Sequence, residues 1–276
     1  MKNYLKSDKV NDKLNNFWNT CKSYYDVMGS TEDFKKEIFY KEMQKLLGIK
    51  DSVIEIGCGD ATKLRAFDNG KRKLCGIDLS RIAIQKARDK IKRGKFKISN
   101  IEKLPYKDNS FDFVYSAYVF EHLNNPEKVL SEMIRISKKY VCVLCPNFGS
   151  PLYKSPPNKD GIITNALRKF LRYFLYTFKK PIHINWLKVQ PILNKPYEPD
   201  FDATCEPDIL NLRYYLISKG LKEVKVSSGW EHPLSSRPTL LNMIRAPFKM
   251  LGRMRIYPFS YMGPFCFVIF EKTKVS

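Results

Sequence analysis

Val53-Ile54-Glu55-Ile56-Gly57-Cys58-Gly59-Asp60-Ala61 is an apolar run that gives way to two glycines, with an acid two residues ahead of the first. Glycine lets a backbone turn tightly and come close to a ligand. About twenty residues on, Cys75-Gly76-Ile77-Asp78-Leu79-Ser80 closes a second apolar run with an acid, and a carboxylate there can accept both hydroxyls of a ribose. Two ligand classes use such a pair. The dinucleotide pattern G-x-G-x-x-G needs glycine at position 62, which is Thr62. The pattern acid-x-G-x-G-x-[GA] is met by Glu55, Gly57, Gly59 and Ala61. Its acid would repel a pyrophosphate but suits a ligand with a cationic amino group and a sulfonium.

These residues must be held by strands and helices in alternation. Short apolar runs at Val53–Ile56, Leu74–Leu79, Phe96–Ile98, Phe111–Ala117 and Tyr140–Leu144 are separated by helical stretches near 61–68, 80–92 and 126–138. Asn125-Pro126 reads as a cap with proline at the first helical position. Continuous apolar strands between helices predict a mostly parallel sheet covered on both faces. Ahead of it, residues 10–47 read as helical, with a start at Thr31 and a stop at Gly48. After Pro146 the alternation breaks. It resumes with a helix over Pro207–Lys219, closed by Gly220, a strand Leu221–Ser227 and a last strand Phe265–Lys272.

At this point the chain resembles the class I methyltransferases that use S-adenosylmethionine (SAM). Further stretches resemble their ubiquinone, menaquinone and other small-molecule branch. Ser99-Asn100-Ile101-Glu102-Lys103-Leu104-Pro105-Tyr106-Lys107-Asp108-Asn109-Ser110-Phe111-Asp112 is close to that group's D-A-E-x-L-P-F-x-D-x-S-F-D, and Val119-Phe120-Glu121-His122-Leu123 to its V-L-E-H-L. Tyr24-Tyr25-Asp26 is similar to an N-terminal Y-D that folds over the cofactor. The resemblance covers residues 50–147, and loosely 207–228 and 264–272. It implies a Rossmann-like α/β fold, mostly parallel with the last strand antiparallel, helices on both faces and an inserted substrate-side segment. It implies SAM as cofactor. Glu55 and the Gly57-Cys58-Gly59-Asp60 backbone would hold its methionine moiety and Asp78 its ribose. Leu79, Asn100 and Ile101 would meet the adenine, Ser116 would line the site, and Tyr25 would cover it.

Methyl transfer from a sulfonium is an in-line displacement, so the protein mainly positions the partners and keeps the site dry. A hydroxyl nucleophile also needs a base, and His122, just past the fourth apolar run, is the candidate. Related quinone O-methyltransferases carry E-x-x-E-H here, read as a metal site; Tyr118-x-x-Glu121-His122 lacks its first carboxylate, and no metal is expected. His183 and His232 lie in variable segments and read as surface residues. Cys142 and Cys145 have C-x-x-C spacing, but three residues apart on a strand they face opposite sides and read as buried thiols.

The formal net charge is +21, from 49 Lys and Arg against 28 Asp and Glu, with 43% hydrophobic residues. That excess favours anionic partners. Residues 151–180 alone hold seven Lys/Arg and one acid. Within them, Leu167, Phe170, Leu171, Phe174, Leu175 and Phe178 recur on one helix face, with Arg168, Lys169 and Arg172 off it. Such a helix, over 166–178, can lie in an anionic membrane interface or close over the site as a lid with its apolar side inward. Leu240–Ile256 has similar character, interrupted by Pro247. The expected function is methyl transfer to a small-molecule or lipid- or glycan-linked acceptor. An RNA or protein methyltransferase is the alternative, favoured only by charge; no N/D-P-P-Y/F motif follows the fourth run. Seven cysteines without a disulfide framework, no apolar leader and no span of about twenty apolar residues predict a cytoplasmic enzyme, peripheral to the inner face of a membrane. The expected division of a single domain is 1–48 N-terminal helices, 49–147 SAM-binding core, 148–205 insertion or lid, and 206–276 the rest of the sheet with a variable segment at 229–262.

Overall fold

The structure is a computed structural model, which describes residues 7–21, 30–231 and 240–273. Tyr25 and its neighbours at 24 and 26, and His232, lie outside the described residues. The elements run α1 (Ser7–Thr20), α2 (Thr31–Lys36), α3 (Ile38–Lys45), β1 (Ser52–Ile56), α4 (Thr62–Arg65), β2 (Lys73–Asp78), α5 (Arg81–Lys90), β3 (Lys95–Ile98), β4 (Phe111–Ala117), α6 (Pro126–Ile136), β5 (Ser137–Pro146), α7 (Ile162–Leu175), β6 (Leu187–Lys188), β7 (Cys205–Glu206), α8 (Ile209–Ser218), β8 (Lys222–Ser227), α9 (Leu240–Arg253) and β9 (Phe265–Glu271).

Seven strands form one sheet in the order β3-β2-β1-β4-β5-β9-β8. The first five pair in parallel, and β9 runs antiparallel to both β5 and β8. This is the Rossmann-like sheet with an antiparallel last strand that the sequence predicts. All five residues of β1 are buried, because helices cover both faces. Alternate residues feed two separate cores. Ile54, Ile56, Val114, Val141 and Val143 pack on one face with α6 and α8, while Val53, Phe113, Tyr115, Cys142 and Leu144 pack on the other with α2, α3 and α5. Cys142 and Cys145 fall in different cores, as strand alternation requires.

Local chemistry sets the helix ends. Ser30, not Thr31, caps α2, its hydroxyl accepting from Asp33 N–H at 3.0 Å. Ser80 caps α5 by accepting from Ala83 N–H, and Asp208 caps α8. Asn125 precedes Pro126 as expected but makes no capping bond, and its amide donates to Glu102 instead. The helical stretch read over 10–47 is interrupted. Glu37 is extended and splits α2 from α3, and α3 ends at Lys45 without a left-handed Gly48.

Two further expectations change in the variable segments. Pro247 sits inside α9 without ending it; Met243, one turn earlier, is on the exposed side, where water can serve the carbonyl that proline leaves unpaired. In α7 the buried residues are Asn165, Lys169 and Tyr173, while Leu167, Phe170, Leu171, Phe174 and Leu175 face outward. The apolar side therefore does not point inward as a lid would need. Lys169 forms a buried ion pair with Glu206 at 2.7 Å and also donates to the carbonyls of Phe148 and Tyr153. Arg172 pairs with Asp208 at 2.9 Å. Those two acids draw the helix's polar face to the body.

Candidate active site

A cleft opens beyond the carboxyl ends of β1 to β4, where the strand order reverses between β1 and β4. Ligands of open α/β sheets bind at such a switch point. Its walls come from the turn after β1 (Gly57, Gly59), the end of β2 (Asp78, Leu79, Ser80), the loop after β3 (Asn100, Ile101, Glu102) and the segment after β4 (Tyr118, Val119, His122, Leu123, Asn124). The polar helix α1 forms the remaining side with Asp12, Asn15 and Trp18.

The turn after β1 is built for close approach. Gly57 has φ +72° and Gly59 φ +50°. A Cβ at Gly57 would stand 2.5 Å from Val119 Cγ2. Ala61, third in the glycine pattern, is itself left-handed at φ 61° and leads into α4. Asp78 ties the two halves of the cleft together. Its Oδ2 accepts from Gly59 N–H at 2.9 Å and its Oδ1 from Ser80 N–H at 2.8 Å. Burial pushes its carboxyl above the usual range, against these stabilising bonds. Asn19 of α1 accepts from Ser80 Oγ and Arg81 N–H, which seats α1 on the start of α5.

Seven sequence-predicted residues thus meet in one cleft: Gly57, Gly59, Asp78, Leu79, Asn100, Ile101 and His122. Four others do not line it. Glu55 is 2% exposed and lies behind the glycine turn, on the sheet face it shares with Tyr115. Its Oε2 has no hydrogen-bond partner, and burial pushes its carboxyl up to about 8. The acid is therefore buried beneath the turn and makes no wall of the cleft. Cys58 turns its thiol under the loop into space that Gly76 leaves open, since a Cβ at Gly76 would meet its Sγ at 2.6 Å. Asp60 turns away to Lys90 and accepts from Thr62 N–H. Ser116 is buried within the sheet and donates to the Ile56 carbonyl at 2.8 Å, joining β4 to β1.

His122 stands on a single 3-10 turn, Phe120–His122. Its Nδ1 is 3.3 Å from the Asp202 carbonyl and 3.6 Å from Asp202 Oδ2. Nε2 makes no hydrogen bond among the described residues, with Glu121 Oε1 3.7 Å away. Trp18 packs edge-on against the imidazole and donates its indole N–H to Asp202 Oδ2, and Tyr197 donates to Asp202 Oδ1. Burial pulls the His122 pKa down, but the Asp202 and Glu121 carboxylates outweigh it and hold the imidazole above 6.5. Burial raises Glu121 to about 7. Sequence reasoning missed Trp18, Tyr197 and Asp202. Nothing local marks them, for Asp202 lies 80 residues from His122. His183 is on the surface, against Glu127.

A cleft at the switch point, with a glycine turn and an acid ending the second strand, defines a nucleoside-binding α/β enzyme. Residues 54–143 match the "Methyltransferase domain" family. The chain is 30% identical over 115 residues to an uncharacterized methyltransferase of Schizosaccharomyces pombe, spanning 36% of this chain and 41% of that one. It is 28% identical over 238 residues to the ubiquinone/menaquinone biosynthesis C-methyltransferase of Wigglesworthia glossinidia brevipalpis, spanning 76% and 90% of the two chains. An S-adenosylmethionine-dependent methyltransferase from Mesorhizobium loti shares the fold, with a TM-score of 0.51 at 14% identity over 87% of this chain and all of that one. The chain is a class I SAM-dependent methyltransferase, and SAM is its cofactor.

Proposed function

We propose that this enzyme methylates a small or lipid-linked acceptor at a membrane surface, with the insertion of 148–205 on the acceptor side of a single catalytic domain. When bound, SAM supplies a methyl group already activated on a sulfonium. The Gly57–Gly59 turn holds the methionine end. Asp78, fixed by two backbone N–H groups, keeps lone pairs for the ribose hydroxyls. Leu79, Asn100 and Ile101 bound the adenine, the Asn100 side chain as a hydrogen-bonding group. His122 takes the acceptor's proton at Nε2, and Asp202 is a positioning residue that orients it through Nδ1. Trp18 of α1 and Tyr197 hold Asp202 and keep water from that edge of the cleft.

The observation that carries the membrane reading is the inverted helix α7. Its charged face is inward, paired with Glu206 and Asp208, and its apolar face is bare: Ile163 is 83% exposed and Phe174 55%. A row of large apolar residues in water is what a lipid interface removes from water. No described helix is long and apolar enough to cross a membrane, so the reading is of a helix lying in the interface, on its inner face. The names of two relatives refer to ubiquinone/menaquinone biosynthesis and to demethylmenaquinone.

The test is co-sedimentation with liposomes. Wild type is expected to pellet with phosphatidylglycerol vesicles, and Phe170→Ser/Phe174→Ser to remain in the supernatant with an unchanged melting temperature. Equal pelleting of both proteins overturns the membrane reading. Salt-sensitive retention on RNA with no vesicle binding favours a nucleic-acid substrate instead.

A further inference from the structure

A second cavity lies between α7 and β6, with a volume of about 450 Å³, within the range of small-ligand pockets. Arg168, Lys169 and Arg172 approach it from α7, Lys188 from β6, and Asn185 and Trp186 complete its wall. No carboxylate lines it among the described residues. Three acids serve these cations from outside the cavity: Asp160 holds Arg168 at 2.8 Å, Glu206 holds Lys169 and Asp208 holds Arg172. Lys169 is fully engaged by Glu206 and two carbonyls and offers the cavity neither a donor nor net charge. Lys188 has no carboxylate partner among the described residues, and its ammonium donates to the Asn124 carbonyl. Arg172 Nε and Trp186 Nε1 are buried behind the wall with no acceptor among the described residues. A wall that carries Arg168, Arg172 and Lys188, with no carboxylate lining it among the described residues, complements an oxyanion.

The cavity adjoins the active site along one wall. Asn124, which receives Lys188, also lines the cofactor cleft. The adjoining β7 is pinned to the turn that carries His122, with Thr204 N–H donating to the Glu121 carbonyl at 2.8 Å. On its outer side the cavity borders α7, whose apolar stripe is exposed. A phosphate here would lie between α7 and the strand whose Lys188 reaches Asn124 at the edge of the cleft.

We propose that this cavity binds a phosphate or diphosphate group, and that this group belongs to the molecule the enzyme methylates. The second half of the proposal rests on the methyl-transfer reading above; the first half does not. The chemistry is the same whether the phosphate is carried by a membrane lipid or by a soluble ester.

The test uses the full chain and inorganic pyrophosphate as probe, titrated calorimetrically. Wild type is expected to bind saturably. Arg168→Ala/Lys188→Ala, both exposed positions, is expected to weaken that binding by about tenfold or more while SAM affinity and melting temperature hold. No saturable binding by wild type, or equal binding by the variant, overturns the proposal. Two further arms separate the sources. Displacement of pyrophosphate by phosphatidylglycerol but not phosphatidylcholine vesicles assigns the group to a lipid; displacement by neither assigns it to a soluble ester. Pyrophosphate binding needs no turnover, so its loss with SAM binding intact sinks this site alone. Loss of SAM binding with pyrophosphate binding intact sinks the methyl-transfer reading alone.

Discussion

Gly57 is constrained twice, by a φ of +72° and by Val119 across the turn. Gly57→Ala places a methyl 2.5 Å from Val119 Cγ2, so the loop must move and SAM affinity should fall by well over about tenfold, on the order of 2 kcal/mol. Val119→Ala removes both clashing methyls, and the double variant should recover the part of that loss due to the clash while keeping the left-handed penalty of about 1–2 kcal/mol. Calorimetric titration of the four proteins decides it; independent effects would mean the contact does not shape the turn. Glu55 makes a different demand. Its carboxyl ionises near 4.5 when unfolded and near 8 in the fold. The stability it gives is complete below pH 4.5, is lost as pH rises toward 8, and changes no further above that. The loss is on the order of 5 kcal/mol. Glu55→Gln cannot ionise, so its denaturation midpoint should be flatter over this window than that of wild type; parallel curves refute the burial argument. The glycine turn and Asp78 were legible because backbone freedom and an acid at a strand end leave marks in local sequence. The place of Glu55 was misread although strand parity carries it: Val53 and Glu55 share a face, and Val53 packs with Tyr115 and Phe67.

Elements joined over long sequence distances hold the acceptor side. Asp202, in the insertion, raises the pKa of His122 on the turn after β4. As a base His122 must be neutral, so turnover should climb with pH through an inflection above 6.5. Asp202→Asn removes the nearer anion, and the inflection should move to lower pH, toward or below 6.5, as well as lowering kcat. A pH–rate profile of the variant with the wild-type inflection would exclude the pairing. The buried pair that inverts α7 gives a stability test. Glu206 also accepts from Ser155 N–H and from Asn158, so it organises residues 155–169 as well as the helix. Lys169→Met strands its charge and should cost about 3–5 kcal/mol in chemical denaturation. Lys169→Met/Glu206→Gln should cost far less, because no unpaired ion is left. The α7 stripe was plain in the sequence, but periodicity is identical for a stripe facing in or out. The direction was set by Glu206 and Asp208, more than thirty positions along the chain, with no local signal to announce it.

At the scale of the molecule, a net charge of +21 and a bare apolar flank make opposite predictions about salt. The helices α7 and α9 border one cluster, with Tyr173 from the first, Tyr176 just past its end and Phe248 from the second, and Tyr257 donates to the Tyr173 carbonyl at 2.9 Å. Met243 and Met250 on α9, and Met254 just past its end, are each at least 60% exposed. Binding by charge alone fades as the screening length shrinks from ~10 Å at ~0.1 M to ~3 Å at ~1 M salt. Apolar insertion does not fade; each large side chain removed from water is worth roughly 1.5–3 kcal/mol. Wild type should therefore keep a measurable affinity for phosphatidylglycerol vesicles at ~1 M salt, after a loss of the electrostatic part. Met250→Ser/Met254→Ser should lose affinity at every salt concentration, and more so when combined with the two changes on α7. These side chains contribute little to the fold, so thermal melting should stay within about 1 kcal/mol of wild type. A vesicle titration across salt in which wild type dissociates completely, with the serine variants following the same curve, would show that charge alone holds the protein to anionic surfaces.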